Sequence, residues 1–455
     1  VKVDVIIIGS GQAGTPLARR FADAGRRVVI VERSRLGGTC TNYGCTPTKT
    51  MVASARAAHV ARNGRRLGVE AGPVKANLPA IVDRKDAIVR QWQLAVLKRL
   101  DTDPARLLVI KGHARFVGER QIDVAGERYE AEIVIIDVGA RPAIPAIPGL
   151  QDVPWLDNHR IMDLRDLPTH LIVLGGGYIG CEFGQMFRRF GSDVTIVNRG
   201  AHLLPREDPQ ISAELERVFS AEGISLEPSQ RVANIAQVDD RIRVSLSGKE
   251  IRGSHLLVAV GRRPNTDDLG CDAAGIALDK NGFIQVDDHY KTSAAGVYAV
   301  GDVTGGPQFT HTAWDDHRLL FDLLLGRGTR GRSARLVPYT VFTDPQVAGV
   351  GITEKEARSR GIEHEIASLP FDSVARATET DETAGLLKVI LEPRTEQVLG
   401  ASIIGAEAGE LIHIFVTLMQ ARASARAIVD AEYVHPTFAE GVQSVVMKFK
   451  QFSLS

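Results

Sequence analysis

No apolar run in this sequence approaches the roughly eighteen residues that a membrane-spanning helix needs. An excess of one charge is missing as well: 55 basic side chains meet 55 acidic ones, for a formal net charge of zero. That balance gives no electrostatic grip on nucleic acid or anionic lipid, and basic clusters such as residues 62–66 read as solvated surface. Cysteine is scarce, with four in 455 residues. A disulfide scaffold is therefore excluded, and a close pair of cysteines points to chemistry instead. The apolar run at residues 5–8 is too brief for a signal-peptide core and leads straight into Gly9. It predicts a buried first strand in a cytoplasmic protein.

Glycine is what the sequence has in quantity, 44 residues, which predicts many tight turns and close backbone approaches. The length exceeds one hydrophobic core and predicts two to four domains. A strand-like run at residues 3–8 meets Gly9-Ser10-Gly11-Gln12-Ala13-Gly14. A helical stretch to about Ala24 follows, then an apolar run at 28–31 ending in Glu32. This is a dinucleotide fingerprint in full βαβ context. Gly9 makes the turn, Gly11 admits a pyrophosphate, Gly14 lets helix and strand pack, and Glu32 can accept from a ribose diol. Adding 166 to each number repeats the pattern: residues 171–174, then Gly175, Gly177 and Gly180, then residues 194–197. Two such sites in one chain imply a relay between two redox cofactors. The position matching Glu32 is Asn198, with Arg199 and Arg206 nearby. The missing carboxylate favours a 2′-phosphate, and so NADPH rather than NADH.

Cys40 and Cys45 stand in Gly37-Gly38-Thr39-Cys40-Thr41-Asn42-Tyr43-Gly44-Cys45-Thr46-Pro47-Thr48-Lys49, directly after the first βαβ unit. Pro47 favours a first helical turn, which puts Cys45 near a helix N-terminus where thiolate is stabilised. Lys49 lies one turn on, on the same face. A zinc half-site needs two further ligands, and Cys181 and Cys271 have no comparable spacing, so no metal is expected.

This motif resembles the redox-disulfide motif of the class I pyridine nucleotide-disulfide oxidoreductases, and the resemblance runs the whole chain. The family includes glutathione reductase, dihydrolipoamide dehydrogenase and mercuric ion reductase. The resemblance implies an α/β fold of two Rossmann-like dinucleotide-binding domains, for FAD and NAD(P), plus a C-terminal α+β dimerisation domain. It divides the chain into an FAD-binding domain at 1–150 and an NAD(P)-binding domain at 151–266. A return segment at 267–337 completes the first, and an interface domain occupies 338–455. It implies that Cys40 attacks substrate while Cys45 contacts the flavin, with Gly38 and Thr39 at the cofactor. Gly177-Tyr178-Ile179-Gly180-Cys181-Glu182 matches the second fingerprint. There Tyr178 would be a lid over the flavin and Glu182 the partner of Lys49, while Cys181 reads as packing. The run ending Val300-Gly301-Asp302 resembles the second FAD motif, and Gly261-Arg262-Arg263-Pro264-Asn265 resembles the crossover back to the FAD domain. One departure stands at Ile136-Asp137-Val138-Gly139, where the family shows Ala-Thr-Gly.

From about Tyr339 the pattern changes to strand-like runs at 386–391 and 398–404 and a long helix near Gly409. His435-Pro436-Thr437-Phe438-Ala439-Glu440 follows. An imidazole can take a thiol proton and return it, and a carboxylate can fix its tautomer. The resemblance implies a homodimer in which His435 and Glu440 act in the partner subunit's site. Asn198-Arg199 and Leu204-Pro205-Arg206-Glu207-Asp208-Pro209 look most like mercuric ion reductase. The sequence nevertheless ends Phe452-Ser453-Leu454-Ser455 without paired cysteines and has a histidine where that enzyme carries Tyr. Hg(II) transfer needs successive soft ligands, whereas thiol–disulfide exchange needs a base. The expectation is an NADPH:disulfide reductase acting on a small disulfide. A metal reductase, and flavin-level reduction of a quinone or nucleotide without the thiols, are the alternatives.

Overall fold

The structure, a computed structural model, describes residues 1–453; Leu454 and Ser455 lie outside the described residues. The chain forms two compact units. One contains Val1–Thr50, Val82–Ala143 and Gly261–Arg335, and the other Met51–Ile81, Ile144–Val260 and the chain from Leu336 onward.

In the first unit the strand Lys2–Ile8 lies between two parallel partners, Val28–Glu32 and Glu127–Ile136. Leu107–Lys111 extends the sheet on one side, and Val297–Ala299 pairs in parallel with Glu127–Ile136. The antiparallel hairpin Ala114–Gly118 and Gln121–Val124 joins the same strand. The apolar run at its centre is continuous because both faces are covered. Val5 and Ile7 pack with Leu17 and Phe21 of the helix Gly14–Asp23, whereas Ile6 and Ile8 pack with Phe116, Ile122 and Val134. Each of these fully buried side chains contributes about 1.5–3 kcal/mol. The chain leaves Lys2–Ile8 for one neighbour first and the other much later, so the sheet has its switch point there. A crevice opens at the carboxyl ends of such strands, where ligands bind in this architecture.

The second unit repeats the plan. His170–Leu174 is flanked in parallel by Asp193–Val197 and His255–Val258, with Ser225–Glu227 and Trp155–Leu156 outside them. Its fingerprint helix is Tyr178–Phe190. The same unit holds a five-stranded antiparallel sheet in the order Tyr339–Val341, Gln346–Gly351, Val398–Gly405, Leu386–Leu391, Glu365–Pro370. Helices Ala408–Gln420 and Glu440–Val446 cover it, burying Phe415, Val442 and Val445 with Leu387, Val389 and Ile403. This is the α+β module that the sequence predicts. No described helix is long and apolar enough to cross a membrane.

Candidate active site

At the first switch point, the glycine loop and the strand end Glu32 are joined through Ser10. The Ser10 backbone N–H and hydroxyl both donate to Glu32 Oε2, at 3.0 and 2.8 Å, and Ser34 N–H donates to Oε1 at 2.8 Å. The Ser10 hydroxyl also accepts from Gly37 N–H at 3.2 Å, which ties the fingerprint to the cysteine loop. A Cβ on Gly14 would overlap the Gly9 carbonyl oxygen, so the helix can begin this close to the turn only with glycine there. Gly38 lies against Gly11, where a Cβ would come within 2.8 Å of the Gly11 Cα; Thr39 beside it is exposed.

The two cysteines meet because the chain turns sharply between two helices, Gly38–Tyr43 and Cys45–Asn63. Gly44 makes that turn: a Cβ there would stand 2.9 Å from the Thr39 carbonyl and 3.2 Å from the Cys40 Cα. Asn42 pins the first helix by donating to Leu36 O and Gly38 O at 2.9 and 2.8 Å. Cys45 is the first residue of its helix, and its Sγ lies 3.0 Å from Oγ1 of Thr310, itself the first residue of the helix Thr310–Leu324. Two helix N-termini therefore converge on one sulfur, a setting that stabilises thiolate. The Cys40 thiol is pushed far up by its hydrogen bond to Cys45 and by burial. Cys40 thus keeps the proton of the reduced pair. Lys49 is half-buried, one turn into the same helix as Cys45.

Asp302 follows Gly301, whose N–H donates to Asp316 at 2.7 Å. The Asp302 Oδ2 accepts from Arg262 at 2.6 Å, and Arg262 also holds the Ala140 carbonyl. This links the second FAD motif to the crossover strand. Gly261, at the start of the crossover, is exposed with φ +133°.

In the second unit a Cβ on Gly180 would overlap the Gly175 carbonyl, as at Gly14 in the first copy. Asn198 Oδ1 accepts from Gly176 N–H at 3.3 Å, the counterpart of the Ser10–Glu32 bond. Its Nδ2 donates to the carbonyls of Gly200 and His202, at 3.0 and 2.6 Å, which a carboxylate cannot do. Arg199 and Arg206 are exposed on this segment and enter no ion pair among the described residues. Glu182 is buried and its Oε1 accepts from Phe342 N–H at 2.9 Å. Cys181 is fully buried with its thiol raised by desolvation, in keeping with a packing role.

Tyr178 stacks on Tyr339, with ring centroids 6.0 Å apart and planes 12° from parallel. The Tyr339 hydroxyl donates to Glu207 Oε2 at 2.6 Å, while Glu207 Oε1 has no hydrogen-bond partner among the described residues. Burial pushes Glu207 up to about 7, against the Tyr339 hydroxyl and with the help of Asp208. Next to it Asp208 pairs with buried Lys388 at 3.0 Å and accepts from the N–H groups of Glu354 and Lys355. The Leu204–Pro209 run thus has a structural task, fastening this loop to the interface sheet. Sequence reasoning missed Thr310 and Gly44 beside the cysteines of the first unit, and the Glu207–Tyr339 pair beside Tyr178 in the second. Only Gly44, between two helices and two cysteines, carried a readable signal.

The raised Glu207 makes a stability prediction. Its native state binds more protons than the unfolded chain between about pH 4.5 and about 7, so stability falls as pH rises through that window. The group's share is on the order of 3 kcal/mol. Glu207→Gln keeps an acceptor for Tyr339 without the charge. Its melting temperature relative to the wild-type protein should therefore climb from about pH 5 to about pH 8. A constant difference would refute this account of Glu207.

His435 Nδ1 lies 2.9 Å from Glu440 Oε1, and Thr437 N–H donates to Glu440 Oε2 at 2.8 Å. These contacts hold the Glu440 carboxyl below its usual range. The imidazole is 70 % exposed, and its Nε2 is the nitrogen left for other chemistry.

The first unit fits FAD. It has a glycine loop opening a helix, a strand-end carboxylate, a second acidic motif beside them, and a reactive sulfur in the same unit. The sequence pattern of the pyridine nucleotide-disulphide oxidoreductases matches residues 3–316, and that of their dimerisation domain matches residues 337–446. The chain belongs to the pyridine nucleotide-disulfide oxidoreductase family. As a member it is an FAD-dependent enzyme that uses a nicotinamide nucleotide, and it carries the family's dimerisation domain. Mercuric reductase of Lysinibacillus sphaericus is 34 % identical over 98 % of this oxidoreductase and 82 % of its own length. The probable pyridine nucleotide-disulfide oxidoreductase RclA of Escherichia coli is 35 % identical over 98 % of each chain. Dihydrolipoyl dehydrogenase of Thermus scotoductus is 35 % identical over 96 % of this chain and 95 % of its own. The solved structure described as HOCl-induced flavoprotein disulfide reductase RclA superposes with a TM-score of 0.91 at 34 % identity, covering 98 % of this chain and all of that one.

Proposed function

We propose that this oxidoreductase is an NADPH:disulfide reductase working as a homodimer, with Cys40 and Cys45 as the redox pair and His435 and Glu440 as its acid–base pair. The observation that carries the reading is the His435–Glu440 hydrogen bond together with the raised Cys40 thiol. A thiol that holds its proton this tightly needs a base, and Glu440 fixes the imidazole with Nδ1–H donating and Nε2 ready to accept.

FAD, when bound, takes two electrons from the nicotinamide nucleotide and delivers them to a disulfide. Gly9, Gly11, Gly14, Glu32, Gly38, Thr39, Gly261, Gly301 and Asp302 would hold it. Gly175, Gly177, Gly180, Tyr178, Asn198, Arg199 and Arg206 would hold NADPH, and Lys49 and Glu182 would support the reacting edge of the flavin. Reduction of the Cys40–Cys45 disulfide leaves a Cys45 thiolate and a Cys40 thiol. His435 of the partner subunit removes the Cys40 proton, and Cys40 sulfur attacks the substrate disulfide, expelling one thiolate. His435 returns the proton to that leaving group. Cys45 then attacks the mixed disulfide, reforming the pair and releasing the second thiol.

The NADPH assignment rests on the exposed Arg199 and on the absent carboxylate at Asn198. Arg199→Ala should lower kcat/KM for NADPH about tenfold, ~1.4 kcal/mol, and leave NADH unchanged. Asn198→Glu should move preference toward NADH, though it also removes the two loop-bracing donations. Equal losses for both nucleotides in Arg199→Ala would refute the assignment.

The mercuric reductases among the relatives keep Hg(II) in play as an alternative acceptor, and RclA has been solved as a Cu(II) complex. The deciding experiment is NADPH oxidation against glutathione disulfide, lipoamide, coenzyme A disulfide, Hg(II), Cu(II) and a quinone. One disulfide should outpace the rest. Turnover with only the metals or the quinone would overturn the proposal.

A further inference from the structure

The departure from the family motif at Asp137 has a counterpart inside the chain. Asp137 follows the strand Glu127–Ile136, and its carbonyl packs on Gly9; in the second copy Ala259, after His255–Val258, packs on Gly175 in the same way. The fold therefore needs only a backbone at this place, and the second copy manages with a methyl group. In the first copy a carboxylate occupies the space.

That carboxylate is buried, with 7 % of the residue exposed. Its Oδ2 accepts from Gly14 N–H at 2.7 Å, at the start of the fingerprint helix. A Cβ on Gly11 would come within 2.6 Å of the same oxygen, whereas Gly177, the matching glycine of the second copy, has open space on that side. The Oδ1 faces the other FAD motif: a Cβ on Gly301 would lie 3.0 Å from it, and it makes no hydrogen bond among the described residues. Asp137 thus sits between the glycine loop and the Gly301-Asp302 turn, the two segments that would hold the pyrophosphate.

We propose that Asp137 supports FAD as a neutral carboxylic acid, its proton on Oδ1, and that its ionisation expels the cofactor. The charged groups around it point one way. Burial does most to raise the Asp137 carboxyl well above its usual range, and Asp302, Asp316 and Glu32, all of the same sign, add to it. The Gly14 N–H opposes them. The nearby cations are already committed, Arg262 to Asp302 and Arg335 to Asp316. A pyrophosphate brings further negative charge, so its binding and the Asp137 proton reinforce each other by linkage. A neutral Oδ1–H offers a donor where an ionised oxygen would repel. Nothing comparable exists at Ala259, so the effect belongs to FAD and not to the nicotinamide nucleotide.

The test is FAD rebinding to the full-length apoprotein, followed by flavin fluorescence between about pH 6 and about pH 9. The wild-type dissociation constant should weaken with pH, approaching about tenfold per unit as one proton is lost for each FAD released. Asp137→Asn, which is neutral at every pH and still accepts from Gly14, should match the wild type at the acidic end and stay flat. A flat wild type, an Asn variant that follows the wild-type slope, or one that binds FAD more tightly by a constant factor throughout would each overturn the proposal. Should the Asn variant fail to fold, calorimetry of wild-type FAD binding in two buffers of different ionisation enthalpy decides. Proton uptake on binding at the alkaline end supports the proposal, and none contradicts it. Because binding is read without turnover, failure here leaves the assignment of a disulfide acceptor standing.

Discussion

Cys45→Ser yields a protein that binds FAD and accepts electrons from NADPH but turns over no disulfide. The loss should be roughly 10⁴-fold or more, the scale on which an enzyme suffers when a covalent nucleophile is removed. The reason is local. Serine fits the first position of the Cys45–Asn63 helix and keeps a hydrogen bond to Thr310, so the loop and the FAD cradle stay as they are. What vanishes is the sulfur that stores one half of the electron pair and later resolves the mixed disulfide on Cys40. Flavin content should match the wild-type protein, and NADPH should bleach the variant's flavin more fully, because no disulfide is there to take the electrons on. Should the variant still reduce the physiological acceptor at the wild-type rate, the electrons leave at the flavin, as in quinone or oxygen reduction, and the cysteine relay is wrong.

His435→Ala should slow disulfide turnover by about 10²–10⁴-fold, the usual range for a lost general acid–base group. Flavin reduction by NADPH, which does not involve the imidazole, should be untouched. The pH profile separates a catalytic loss from a structural one. Cys40 ionises only well above its usual range, so without a base its thiolate fraction grows about tenfold per pH unit. The variant's residual rate should rise in parallel through the alkaline range, while the wild-type profile is flatter. Loss of a few-fold only, with an unchanged profile, would mean that another group deprotonates Cys40.

Much of the fold and the site is legible in the amino-acid sequence. The two glycine fingerprints are visible because a βαβ turn tolerates few alternatives, and the offset of 166 between them survives as matching contacts: Gly14 on Gly9, Gly180 on Gly175. The alternation of Val5 and Ile7 against Ile6 and Ile8 is hidden, since a strand covered on both faces reads as one apolar block. Other features depend on contacts far apart in sequence. Thr310 reaches Cys45 across 265 residues, and Tyr339 reaches Glu207 across 132; no local pattern announces either. The resemblance of Leu204–Pro209 to mercuric ion reductase carries less about substrate than it suggests. Its acidic residues spend themselves on Tyr339, Lys388 and the helix Glu354–Ser359. Asn198 is legible as a missing carboxylate, but its bracing of Gly200 and His202 is not. Asp137 is visible only as a departure, and its meaning comes from the comparison with Ala259.

The central claim is that electrons from NADPH come to rest on Cys40 and Cys45, and counting thiols tests it most directly. The chain has four cysteines, of which Cys181 and Cys271 are buried. Oxidised protein, denatured and titrated with a thiol reagent, should show only those two. The same protein reduced anaerobically with a slight excess of NADPH and then denatured should show all four. An equal count before and after NADPH, with the flavin reduced, would contradict the account.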